Sequence, residues 1–241
     1  MIINRLLIAL LFAGSLSCHS TQKTLQPEGT YANVKIIGAM RNVMWKGELG
    51  TNIELDTINN KKGLYGLGPM SYLRGEILIN DGKAYVSKVS SSNSMSVEKT
   101  FKASAPFFVY ANVMEWREID LPTNIKTLQD LEALIDEQSK NQKRPFAFKL
   151  SGQITKAVIH IQNLPLGTKV SSPTDAHQGQ TNYPLQNEKV NIVGFFSTEH
   201  KGIFTHHDSF MHLHLITEDE SKMGHLDEVE LGKMKLYLSA K

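Results

Sequence analysis

The chain has 241 residues, enough to bury a sizeable core as one domain, and its 41% hydrophobic and 21% charged residues exclude a disordered or fibrous protein. A formal net charge of +2, with no run of five or six Lys or Arg, excludes the electrostatic footprint of a nucleic-acid reader. Cys18 is the only cysteine, so intramolecular disulfides and cysteine-based metal sites are excluded as well, and any metal must sit on His and carboxylates.

Residues 1–17 read as an export signal. Asn4-Arg5 open it, Leu6 to Gly14 form an apolar run too short to span a bilayer, and Ser15-Leu16-Ser17 precede Cys18. A Cys in this place resembles the lipidation site of a bacterial lipoprotein, which would anchor the protein to a membrane; the alternative is plain cleavage near Ser17, giving a soluble secreted product. Both readings place the mature protein outside the cytoplasm. Residues 18–30, polar and carrying Pro27 and Gly29, read as a tether, and the folded unit is expected over 31–241.

Within that unit, Met40, Val43 and Met44 recur at helical spacing, and Gly47 or Gly50 would stop a short helix around 38–47. Glu76 to Tyr85 reads as a hairpin turning at Asp81-Gly82. Further short apolar or alternating runs at 107–113, 146–150, 157–161, 190–196, 211–216 and 229–238 predict strands. Between them, Thr127 as N-cap followed by Leu128, Leu131, Leu134 and Ile135 predicts a helix running to about Gln142. Residues 165–188, with Pro165, Pro173 and Pro184, read as a long loop. The expected fold class is α+β, mainly mixed or antiparallel sheet with a few helices.

The chemistry concentrates near the C-terminus. In Phe210-Met211-His212-Leu213-His214-Leu215-Ile216, side chains two apart on a strand share a face, so His212 and His214 emerge side by side. A polar turn follows, and His225 opens the next strand, whose antiparallel return can bring a third imidazole to the pair. Three His ligands with a fourth position open is the pattern of a catalytic zinc site. His206 and His207 just upstream are rival ligands of which at most one can join the cluster; they are expected as surface or supporting groups.

These residues, together with Ile192-Val193-Gly194-Phe195, Gly202-Ile203, Gly224-His225 and Asp227, resemble the α-acetolactate decarboxylase family, including its ligand spacing of two and eleven. The resemblance extends upstream through Gly75-Glu76, the Asp81-Gly82 turn, Tyr85, Pro106-Phe107 and the Phe146-to-Gly152 stretch. It implies a Zn2+ enzyme acting on a small 2-hydroxy-3-oxo acid, 2-acetolactate, with His212, His214 and His225 as ligands, Glu76 as general acid/base, and acetoin and CO2 as products. Two departures stand out. His160 occupies the position where the family usually carries an Arg, with Arg74 as another candidate cation, and the chain as given ends at Lys241 without the family's C-terminal glutamate extension. The alternative reading is therefore a non-catalytic lipoprotein that keeps the fold and binds a metal or a small oxyacid.

Overall fold

A computed structural model describes residues 34–240. The export signal, Cys18, the tether and the first residues of the expected folded unit lie outside the described residues. In chain order the elements begin with β1 (Lys35–Ile37), α1 (Met40–Lys46), β2 (Ile53–Glu54), β3 (Leu64–Pro69), β4 (Glu76–Asn80), β5 (Lys83–Ser91) and β6 (Ser94–Lys99). They continue with β7 (Ser104–Ala105), β8 (Phe108–Asn112), β9 (Trp116–Asp120), α2 (Leu128–Gln138), β10 (Phe146–Ile161) and α3 (Pro173–Ala176). The last four are β11 (Thr181–Gln186), β12 (Lys189–Phe196), β13 (Met211–Thr217) and β14 (Met223–Ser239).

The fold is α+β, dominated by antiparallel sheet. One six-stranded sheet has the order β1-β8-β3-β4-β5-β6. The other runs β11-β10-β12-β13-β14-β9 and has an additional pairing of β10 with β14. Pairing therefore passes from β10 through β12, β13 and β14 and back to β10, so this part of the sheet closes on itself. The two sheets meet through an apolar layer in which Tyr65, Leu67, Leu78 and Val109 of the first pack with Ala147, Val193, Phe195 and Ile216 of the second.

Local chemistry accounts for the elements the sequence made legible. Gly47 ends α1 in the left-handed conformation (φ 64°), where its N–H reaches the Asn42 carbonyl and a Cβ would meet the Val170 carbonyl oxygen at 2.7 Å. Asp81 (φ 49°) and Gly82 (φ 75°) supply the two left-handed residues of a tight turn between β4 and β5. At α2, the Thr127 hydroxyl accepts from the Asp130 N–H while the Asp130 carboxylate accepts from the Thr127 N–H, a reciprocal cap of a kind that stabilises by about 1 kcal/mol. Leu131 and Ile135 bury the inner face of α2 against the second sheet.

Three expectations need correction. The runs at 146–150 and 157–161 belong to one 16-residue strand, β10, which stays paired with β14 across register shifts after Gly152. The stretch 165–188 is not a plain loop: it contains α3 and β11. In β11, Tyr183 and Leu185 are buried between exposed neighbours, and Pro184 is tolerated because the strand lies at the sheet edge. Finally, α2 stops at Gln138, short of Gln142.

Candidate metal centre

Register places the three histidines. In the closed sheet, His214 of β13 stands opposite His225 of β14, and His225 stands opposite His160 of β10. Residues paired across antiparallel strands project to one face, so the imidazoles form a row running across three strands, and His212, two residues before His214, joins them. Gly224 permits the close approach of β14 to β10: a Cβ there would lie 2.5 Å from the His160 carbonyl oxygen.

His212, His214 and His225 each offer a ring nitrogen, and these donor atoms lie within 4.8 Å of one another. Their ring centroids are 5.2 Å (212–214), 5.0 Å (212–225) and 5.5 Å (214–225) apart. All three are buried. Burial pulls the His214 imidazole down to about 3 and the other two well below their ordinary value, so all three rings are neutral with lone pairs available. The backbone of Ile77 near His214 and of Phe204 near His212 opposes this weakly. Neither contact reaches hydrogen-bond geometry: Nδ1 of His212 and both ring nitrogens of His214 are buried with no partner. Unpartnered buried polar atoms are expensive, and a cation bound through one nitrogen of each ring offsets part of that cost. The donor set therefore fits a divalent metal ion held by nitrogen ligands.

Glu76 arrives from the other sheet, at the start of β4, and is 2% exposed. Its Oε1 accepts the Gln162 N–H at 3.1 Å, and its Oε2 lies 3.6 Å from His214 Nε2, beyond hydrogen-bond length. Burial raises its carboxyl well above the usual range, the Gln162 N–H opposes this, and the nearby Asp227 charge adds to it. A buried carboxyl of this kind is suited to hold a proton near neutral pH and deliver it beside the metal ligands.

His160 stands next to His225, ring centroids 4.7 Å apart, with its Nδ1 2.8 Å from both oxygens of Asp227. Asp227 owes its aim to a bulge: Val158 pairs with Glu228 and Ile159 with Leu226, leaving Asp227 as the extra residue on β14. Arg74 is exposed, and its guanidinium donates to the Leu164 carbonyl at 3.3 Å. His207 is exposed, whereas His206 is turned inward, its ring centroid 5.1 Å from that of His225. A cavity of about 480 Å³ opens beside His225, lined also by His206, Asp227, Leu213 and, from α2, Leu128 and Glu132. Sequence reasoning missed the Asp227–His160 pairing and the inward His206; the first depends on the bulge and the second on a loop without periodicity.

A model of the α-acetolactate decarboxylase family matches residues 38–241. The chain belongs to the α-acetolactate decarboxylase family, whose members are carboxy-lyases. Among its relatives, the α-acetolactate decarboxylase of Brevibacillus brevis is 25% identical over 199 residues, covering 82% of this chain and 67% of that protein. The enzyme of the same name from Lactococcus lactis subsp. cremoris is 28% identical over 169 residues, covering 69% of this chain and 67% of its own. The crystal structure of α-acetolactate decarboxylase from Bacillus subtilis strain 168 superposes with a TM-score of 0.70 at 22% identity, over 86% of this chain and 85% of that one. A Staphylococcus aureus protein described as similar to the same enzyme gives 0.71 at 18% identity, over 86% and 84%. At these identities the structures show a shared fold.

Proposed function

We propose that the protein is a zinc-dependent decarboxylase that converts 2-acetolactate to acetoin and CO2. The observation that supports this reading is the meeting of three buried imidazoles, two of them with ring nitrogens that lack any partner, with a buried carboxyl 3.6 Å from one of them, at the junction of the two sheets. Zinc held by His212, His214 and His225 would supply a Lewis acid for the hydroxyl and ketone oxygens of the substrate. The rest falls to the chain's own residues. The C–C bond to the carboxylate breaks, CO2 leaves, and the electron pair left behind delocalises towards the neighbouring ketone. Glu76 donates its proton to the carbon that carried the carboxylate, which yields acetoin, and is reprotonated from solvent. The Gln162 N–H fixes the orientation of its carboxyl for that transfer. Low exposure around Glu76 and the histidines keeps water from competing for the same positions.

The substrate carboxylate needs a donor at the rim of the site. His160 answers to that need when both of its ring nitrogens carry a proton: Asp227 accepts from Nδ1, and Nε2 would donate to the substrate carboxylate in place of its long 3.4 Å contact with Gln162 Nε2. A charge-assisted hydrogen bond of this type contributes about 1.5–3 kcal/mol. His160→Ala should therefore raise KM for acetolactate about tenfold to a hundredfold, with zinc content unchanged and His160→Arg recovering much of the loss. An unaltered KM in His160→Ala would remove this residue from substrate binding.

The direct test of the proposed function is zinc content together with acetoin release from acetolactate. Zinc with no acetoin would leave the alternative of a metal- or oxyacid-binding protein without turnover. The proposal extends to location: we expect an exported protein, lipidated at Cys18 and so membrane-anchored. Labelled fatty acid should enter wild type and not Cys18→Ser; no incorporation into wild type would mean a soluble product.

A further inference from the structure

We propose that the side chain of Gln162 determines specificity: its Oε1 accepts a hydrogen bond from the hydroxyl of the substrate and so selects acids with a free 2-hydroxyl. This rests on the reading of the site as one that takes a small 2-hydroxy-3-oxo acid. Gln162 is 5% exposed, and its Oε1 is buried with no hydrogen-bond partner among the described residues. The rest of the residue is engaged. Its N–H holds Glu76 Oε1 at 3.1 Å, and its Nε2 stands 3.1 Å from Gln180 Oε1 and 3.4 Å from His160 Nε2. Gln162 thus touches both the proton donor and the residue that meets the substrate carboxylate, and one atom of it lacks a donor.

A chain of amides sets which way this side chain is turned. Gln162 Nε2 donates to Gln180 Oε1, and Gln180 Nε2 donates at 3.0 Å to Oδ1 of Asn182, the β11 residue paired with His160. The nitrogen end of the Gln162 amide is spent on that chain, which leaves the oxygen end as a buried acceptor at a standing cost. The chemistry of the substrate says what can relieve it. The ketone and the carboxylate of 2-acetolactate only accept hydrogen bonds, so the 2-hydroxyl is the one group that can donate to Oε1. Its O–H becomes a better donor when its oxygen lies on a divalent cation. A 3-oxo acid without the hydroxyl leaves Oε1 orphaned, and sites built to hydrogen-bond a hydroxyl reject analogues lacking it far more strongly than pockets that only fit their shape.

The test measures binding by calorimetry to the full-length, zinc-loaded protein, with 2-hydroxy-2-methylpropanoate and its O-methyl ether as probes. Neither carries the ketone that decarboxylation needs, and the ether keeps the ligating oxygen while losing the O–H. Wild type should prefer the hydroxy acid. In Gln162→Met that preference should shrink about threefold to tenfold, the worth of one hydrogen bond, with zinc content unchanged. Gln162→Leu serves the same comparison should the methionine variant fold poorly. No preference in wild type, or an equal preference in wild type and variant, would overturn the role of Gln162 while leaving the decarboxylase reading intact. A preference that depends on Gln162 in a protein that releases no acetoin would support the acceptor and overturn turnover instead. Failure of wild type to bind either acid would overturn both.

Discussion

His214→Ala is expected to purify without bound metal and to release no acetoin above background, while keeping its fold. His214 is fully buried at the β13 end of the imidazole row, paired with Val193 on one side and His225 on the other, and both of its ring nitrogens lack hydrogen-bond partners. Two remaining imidazoles are too few for a zinc site that normally draws on at least three protein ligands. The loss of activity should exceed the roughly hundred- to ten-thousandfold contribution of a proton-transfer group, because every later event needs the assembled centre. The fold should survive, since removing an unsatisfied buried polar ring sacrifices no hydrogen bond. Elemental analysis and circular dichroism check the two halves of the prediction, and a variant that retains stoichiometric zinc would refute the ligand assignment.

Glu76→Gln separates activity from stability. Activity should fall about a hundredfold to ten-thousandfold with zinc retained, because the amide keeps the shape of the carboxyl and has no transferable acidic proton. In the metal-free protein the same change should be stabilising at pH 8. The sign follows from burial. The Glu76 carboxyl is raised in the folded state above its unfolded value, so the folded protein binds the proton more tightly. The stability this contributes is complete below the unfolded value of about 4.3 and is lost as pH rises through the folded value. Glutamine carries no such loss, so the thermal midpoints of the two metal-free proteins should draw together on acidification and part as pH rises. A gap that widens towards acid would contradict a neutral buried Glu76.

What the sequence disclosed is what local chemistry encodes. Alternation in His212-Leu213-His214, the polar turn before His225, the Thr127 cap of α2 and the Asp81-Gly82 turn each depend on residues close along the chain, and each is found in the structure. The rest arises from long-range pairing. Nothing near residue 160 announces that β10 will run unbroken from Phe146 to Ile161 and set His160 opposite His225. The β11 strand was masked by Pro184, a residue acceptable only because that strand has one neighbour. Glu76 entered through its place in the family motif; its proximity to His214 required two separate sheets to pack face to face, which no periodicity in β4 expresses.

The return of hydrogen bonding from β14 to β10 has a consequence for how the protein acquires its metal. A slip of one residue would turn every imidazole to the opposite side, and in a circuit of strands no member can slip alone. Donor spacing is thus dictated by the backbone, unlike a zinc finger, which gains its structure only on capturing the ion. Uptake should resemble docking into a finished socket, with the cost of holding bare imidazoles together already met by folding.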